Sequence, residues 1–127
     1  MVLAFPVYWW SMPAVLKGWI DRVFTNGWAF GAEDRFSGPL ATKSVRLIAT
    51  GGSKPGVYEK HGYRTAIAAQ IEHGIFHFSG IRDLQTHLFL DVENGDRAAR
   101  LRNLATAFEL GQALGAGHSA RATIPAS

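Results

Sequence analysis

Tyr58 and His61 stand three residues apart, just beyond the run Thr50-Gly51-Gly52-Ser53. A phenol and an imidazole can donate hydrogen bonds to a site that gains negative charge, and the same pair would serve equally well as caps of a loop. Gly51 and Gly52 carry no Cβ, so backbone N–H groups there can approach a ligand closely. A Walker loop is excluded because Val57 follows Gly56 where a lysine and a hydroxyl residue are needed, and no G-x-G-x-x-G fingerprint occurs. A second segment, Phe5-Pro6-Val7-Tyr8-Trp9-Trp10-Ser11-Met12-Pro13, sets three large aromatics side by side. They suit the wall of a site for something flat and aromatic, or a plug at a sheet end or dimer contact.

Other chemistries find less support. His73 and His77 are four apart on a helical stretch and could supply two metal ligands, but no cysteine or clear third ligand follows, so no metal is expected. Glu33, Asp34 and Asp83 do not pair as glycosidase carboxylates would. The absence of cysteine excludes disulfides, thiol catalysis and cysteine-ligated iron-sulfur clusters. A formal charge of +3 without any dense basic run argues against a nucleic-acid partner and fits an anionic small molecule. No basic n-region precedes the apolar start, Pro6 and Pro13 interrupt it, and no apolar run is long enough to span a bilayer, so a cytoplasmic protein is expected.

With 127 residues, 47% of them hydrophobic, the chain supports one core: a single domain over 1–114 and a flexible, small and polar tail over 115–127. Val2-Leu3-Ala4-Phe5 has no polar alternation, the pattern of a strand covered on both faces. Ser11 as N-cap and Pro13 in the first turn open a helix with a stripe at Leu16, Trp19, Ile20, Val23 and Phe24. Val45 to Thr50 reads as a second buried strand. From Tyr63 a helical row runs through Ile67, Ile71, Ile75 and Phe78 to Gly80, and Leu84 to Val92 alternates like a half-exposed edge strand. Asn94 or Asp96 can cap a last helix with an inner stripe at Leu101, Leu104, Ala105 and Phe108. Strand, helix, strand, helix, strand, helix implies parallel right-handed crossovers in an α/β fold, with ligands beyond the carboxyl ends of the strands.

The segments FPVYWWSMPAVLKGWIDRVF, ATGGS, YEKHG and IEHGIFHFSGI, spread from about Leu3 to Asp91, resemble the flavin-dependent NAD(P)H dehydrogenase (quinone) family. That family also includes ancillary oxidoreductases of glutathione-gated potassium efflux systems. The resemblance implies a flavodoxin-like three-layer sandwich and a homodimer that binds FAD or FMN and passes hydride from NAD(P)H to a quinone. It places Pro6, Val7, Tyr8, Trp9 and Trp10 beside the isoalloxazine ring, and Thr50, Gly51, Gly52 and Ser53 at its polar edge. It assigns Tyr58 and His61 the catalytic role near the flavin N1 and O2, although one extra residue before Tyr58 and fewer between it and His61 depart from the animal enzymes.

Family members carry a strand, a phosphate loop, a helix and a second strand ahead of the aromatic segment. This chain is therefore expected to hold only the 3-4-5 part of a 2-1-3-4-5 sheet, and alone to bind flavin weakly. Two alternatives to the reductase reading are a regulatory subunit that binds a membrane transport protein and a shortened, inactive relative. Trp19, Trp28, Phe30 and Phe36 give more aromatic surface than one small core requires, as a homodimer contact would.

Overall fold

The structure, a computed structural model, describes residues 1–31 and 38–121, with side chains through 116. Three strands, β1 (Val2–Pro6), β2 (Ser44–Thr50) and β3 (Asp83–Phe89), form one parallel sheet in the order β1-β2-β3. The crossovers are helical. α1 (Ala14–Val23) links β1 to β2, and α2 (Pro55–His61) and α3 (Tyr63–Ile67), the latter continuing as a π-helical stretch over Ala68–His77, link β2 to β3. The register pairs Leu3 with Leu47 and Phe5 with Ala49, and Val45, Leu47 and Ala49 with Leu84, Thr86 and Leu88. Period-two alternation puts these residues on one face, where Phe5, Val45, Leu47 and Ala49 are buried with Ile20, Ile67, Ile71, Phe76 and Ile81. This is the flavodoxin-like α/β arrangement that the sequence implies.

Four details differ from the sequence expectations. Val2 and Ala4, on the other face of β1, are exposed, so that strand is covered on one side rather than two. Ser11 does not cap α1, whose N-cap is Pro13; its backbone closes a turn with Tyr8 instead. Tyr63 and the residues after it bury Ile67, Ile71, Phe76 and Ile81, while Ile75 is half-buried and Phe78 is 40% exposed. Bonds such as Phe78 N–H to the His73 carbonyl, 3.1 Å, run i to i−5, and the wider turn shifts the buried row by one residue after Ile71. Finally, β3 ends at Phe89, and Asp91 takes a left-handed backbone with φ of 56°, which stops the alternation expected to run to Val92.

The chain separates into two compact units, 1–93 and 94–127. The second unit contains α4 (Arg97–Arg121), whose start is capped by the Asp96 carboxylate accepting the Ala99 N–H at 2.7 Å. Helix continues through 115–121, where a loose tail is expected. Leu101, Leu104 and Phe108, the expected inner stripe, are exposed. Glu33, Asp34, Phe36 and the last six residues of the expected tail lie outside the described residues.

Candidate functional site

The carboxyl ends of β1 and β2 lie side by side, and the Val7 N–H extends their pairing with a 2.7 Å bond to the Thr50 carbonyl. Pro6, opposite Thr50 in the ladder, is exposed, as is Thr50; Val7 is half-buried on the core. The chain then reverses sharply. Tyr8 and Ser11 exchange backbone hydrogen bonds of 3.0 and 3.1 Å, and between them Trp9 and Trp10 take φ of 49° and 63°. Two left-handed residues at the centre of a two-residue turn have the signs of a type I′ geometry, a place that favours Asn and Gly. Bulky side chains there are strained, and strain of this kind gathers at functional sites.

The two indoles divide the alternatives left open by the sequence. Trp10 is packed: its ring stacks on Tyr63 with centroids 3.7 Å apart and planes 9° from parallel, and it meets the Tyr58 ring edge-on at 5.4 Å. Trp9 is 93% exposed, and Tyr8 is also exposed. The tightest constraint on the backbone is thus anchored by one indole and leaves the other bare.

The glycine turn beside it is held in place by the segment after β3. Gly51 N–H donates to the Phe89 carbonyl at 2.8 Å, Asp91 N–H to Ser53 at 3.0 Å, and Val92 N–H to Gly51 at 3.3 Å. The buried Gly51 amide is therefore already engaged. Among the described residues the N–H groups of Trp9, Trp10, Gly52 and Ser53 have no backbone partner. A Cβ on Gly51 would lie 2.6 Å from the Tyr58 hydroxyl, and one on Gly52 would lie 3.0 Å from the Glu93 carboxyl. The glycines thus let these side chains pack onto the strand end.

Tyr58, on the inner side of α2, is 1% exposed. Burial pushes its hydroxyl above the ordinary value of 10.0, opposed in part by the positive charge of Arg64. A phenol is neutral at physiological pH without any shift, and the raised value keeps it a donor further into alkaline solution. His61 closes α2 and is exposed; Gly62, left-handed with φ of 70°, ends the helix and turns the chain so that the His61 ring stacks on Tyr63 at 5.4 Å. The site therefore unites Trp10, Gly51 and Tyr58 directly, and His61 through Tyr63. Sequence reasoning treats Tyr63 only as the start of a helical row; the signal for it is an aromatic residue immediately after a glycine that follows His61.

Elsewhere, the His73 and His77 rings meet edge-on with centroids 6.2 Å apart, and among the described residues no group of three metal-ligating side chains forms. Trp19 and Trp28 are exposed, whereas Phe30 packs edge-on against Phe78. No helix among the described residues is long and apolar enough to cross a membrane.

Comparison with known proteins bears on the fold. A family described as having the flavodoxin-like fold matches residues 1–110. The chain is 35% identical over 109 residues to NAD(P)H dehydrogenase [quinone] 1 of Cavia porcellus, covering 83% of this chain and 40% of that protein. Its fold matches an NAD(P)H:quinone oxidoreductase from Methanothermobacter marburgensis with a TM-score of 0.72 and 25% identity, over 89% of this chain and 55% of the other. It also matches the general stress protein 14 of Treponema denticola in complex with FMN, with a TM-score of 0.62 and 25% identity, over 91% of this chain and 64% of that one. The chain spans about half the length of the curated relatives it matches. By sequence and by fold, the chain belongs to the flavodoxin-like fold family.

Proposed function

We propose that this chain carries the ring-binding end of a flavin-dependent oxidoreductase that moves hydride from NAD(P)H to a quinone. One observation carries the reading: two adjacent strand-end turns offer unpartnered N–H groups, at Trp9 and Trp10 and at Gly52 and Ser53, next to an aromatic cluster. A flat heteroaromatic ring with a polar edge requires that combination, so the residues fit a flavin. The FMN complex of the Treponema denticola protein supports the cofactor class, with FAD as the alternative, and the names of the relatives support NAD(P)H as donor and a quinone as acceptor.

A bound flavin supplies two-electron chemistry, accepting hydride from the nicotinamide and delivering it to the acceptor. The chain's own residues do the rest. Trp10, fixed by Tyr63 and Tyr58, walls the site and excludes water from one side. The turn amides hold the polar edge. The Tyr58 hydroxyl offers a hydrogen bond where negative charge develops, an interaction that strengthens along the reaction. His61, exposed at the end of α2, offers its imidazole N–H to the polar edge of the ligand. The net change is one hydride and one proton added to the quinone, giving quinol and oxidised nicotinamide. Pro6, Val7, Tyr8 and Thr50 shape the backbone of the two turns.

Stopped-flow reduction of the bound chromophore by NAD(P)H tests the roles. Tyr58→Phe and His61→Gln should slow reduction more than they weaken binding of the oxidised cofactor, and wild-type rates in both would sink the assignment. A homodimer is proposed through the aromatic surface of Trp19 and Trp28; light scattering at several concentrations checks it, and a fully active monomer would contradict it.

A further inference from the structure

We infer that Tyr63 is a positioning residue for this site, holding the Tyr8–Ser11 turn in its left-handed form and so aiming the Trp9 and Trp10 amides at the ligand. The inference rests on the flavin reading for its ligand, but the conformational part stands on the free chain. Trp9 and Trp10 occupy left-handed backbone regions that are strained for L-residues with bulky side chains. The two Tyr8–Ser11 hydrogen bonds and a long Ser11 Oγ to Gln70 contact of 3.4 Å are the polar ties of the turn. Trp9, 93% exposed, contributes almost no packing to offset the strain.

What remains is the Trp10 indole. Its broad face lies on Tyr63 at 3.7 Å, nearly parallel, and only an edge touches Tyr58. Tyr63 is itself backed by His61 on an approximately parallel plane, 26° off, so three rings stand in a column from the end of α2 to the aromatic turn. Gly62 makes the column by turning the chain between His61 and Tyr63. Rotating Trp10 back to a right-handed backbone would carry its indole off Tyr63, so the stack and the left-handed turn form and break together. Tyr63 makes none of the proposed contacts with the ring itself; it acts through Trp10.

The test compares the wild-type chain with Tyr63→Phe and Tyr63→Leu. In the ligand-free chain, NMR Cα shifts and N–H to Hα couplings of Trp9 and Trp10 report the sign of φ. Tyr63→Phe should keep left-handed values, because a phenyl ring stacks without the hydroxyl, and Tyr63→Leu should lose them and speed amide exchange at Ser11. FMN and riboflavin titrations by fluorescence quenching should show about a tenfold loss of affinity in Tyr63→Leu and near wild-type affinity in Tyr63→Phe, equivalent to about 1.4 kcal/mol. Left-handed values retained in Tyr63→Leu would overturn the inference. So would a relaxed turn with unchanged flavin affinity, since the turn would then not serve the ligand. Failure of the wild-type chain to bind either flavin would instead defeat the flavin reading, while the NMR comparison still decides what holds the turn.

Discussion

The Tyr58 hydroxyl sits 2.6 Å from the point where a Cβ on Gly51 would be, with a Leu90 methyl only 2.9 Å from the same point. The glycine at the end of β2 is thus required by the side chain of Tyr58, seven residues further along the chain in α2, not by an unusual φ. Gly51→Ala should destabilise the chain by roughly 1–3 kcal/mol through overpacking. Adding Tyr58→Phe should recover part of that loss, because the nearest clashing atom is removed. Denaturant unfolding of both single variants and the double variant measures the coupling; strict additivity would refute the contact.

Alkaline stability follows from the same phenol. The folded chain holds the Tyr58 proton more tightly than the unfolded chain, where the ordinary value of 10.0 applies. The stabilisation is intact below about pH 10 and is lost as pH rises from there through the raised folded value. Tyr58→Phe should flatten this decline, and Arg64→Gln, which removes the opposing positive charge, should steepen it. Melting temperatures between pH 8 and about pH 11 read both slopes.

Trp9 offers a separation of stability from function. A residue 93% exposed at φ of 49° has little packing to lose and strain to relieve. Trp9→Asn should therefore leave stability unchanged or raise it by about 0.5–1 kcal/mol, since Asn tolerates left-handed backbone in such turns. The same change should reduce flavin affinity up to about tenfold by removing an aromatic wall. Paired melting and fluorescence titration check it, and a large loss of stability would favour a plug role for Trp9.

The π-helical stretch makes its own demand. Phe76→Ala, at a side chain with 0% exposure, should cost about 3–5 kcal/mol, and Phe78→Ala, at 40% exposure, clearly less. Equal losses in urea titrations would argue for an ordinary α-helical phase.

This last contrast shows where sequence reasoning stops. The apolar run at Val2 to Phe5 and the largely apolar segment Val45 to Ala49, interrupted by Arg46, marked two strands, although β1 is covered on one face where its unbroken run suggested two. The glycine pair and the aromatic segment then fell at adjacent strand ends because parallel crossovers put them there. The phase after Ile71 was hidden, since a change from i−4 to i−5 bonding leaves no mark on composition. The Trp9-Trp10 turn was hidden for another reason: its local preference opposes left-handed backbone, and the Trp10 ring packs on Tyr63, fifty-three residues away along the chain, a contact that no local pattern announces. Tyr63 went unnoticed with it.

Glycine-rich turns are commonly regarded as sources of freedom, yet Gly51 to Ser53 is tied to Phe89, Asp91 and Val92 by three backbone bonds. The consequence is mechanical. A push on the turn from an arriving ligand passes straight to the end of β3, so the amides of Gly51, Asp91 and Val92 should open to solvent as one unit, and a reporter placed at Val92 would register occupancy of a site it never touches.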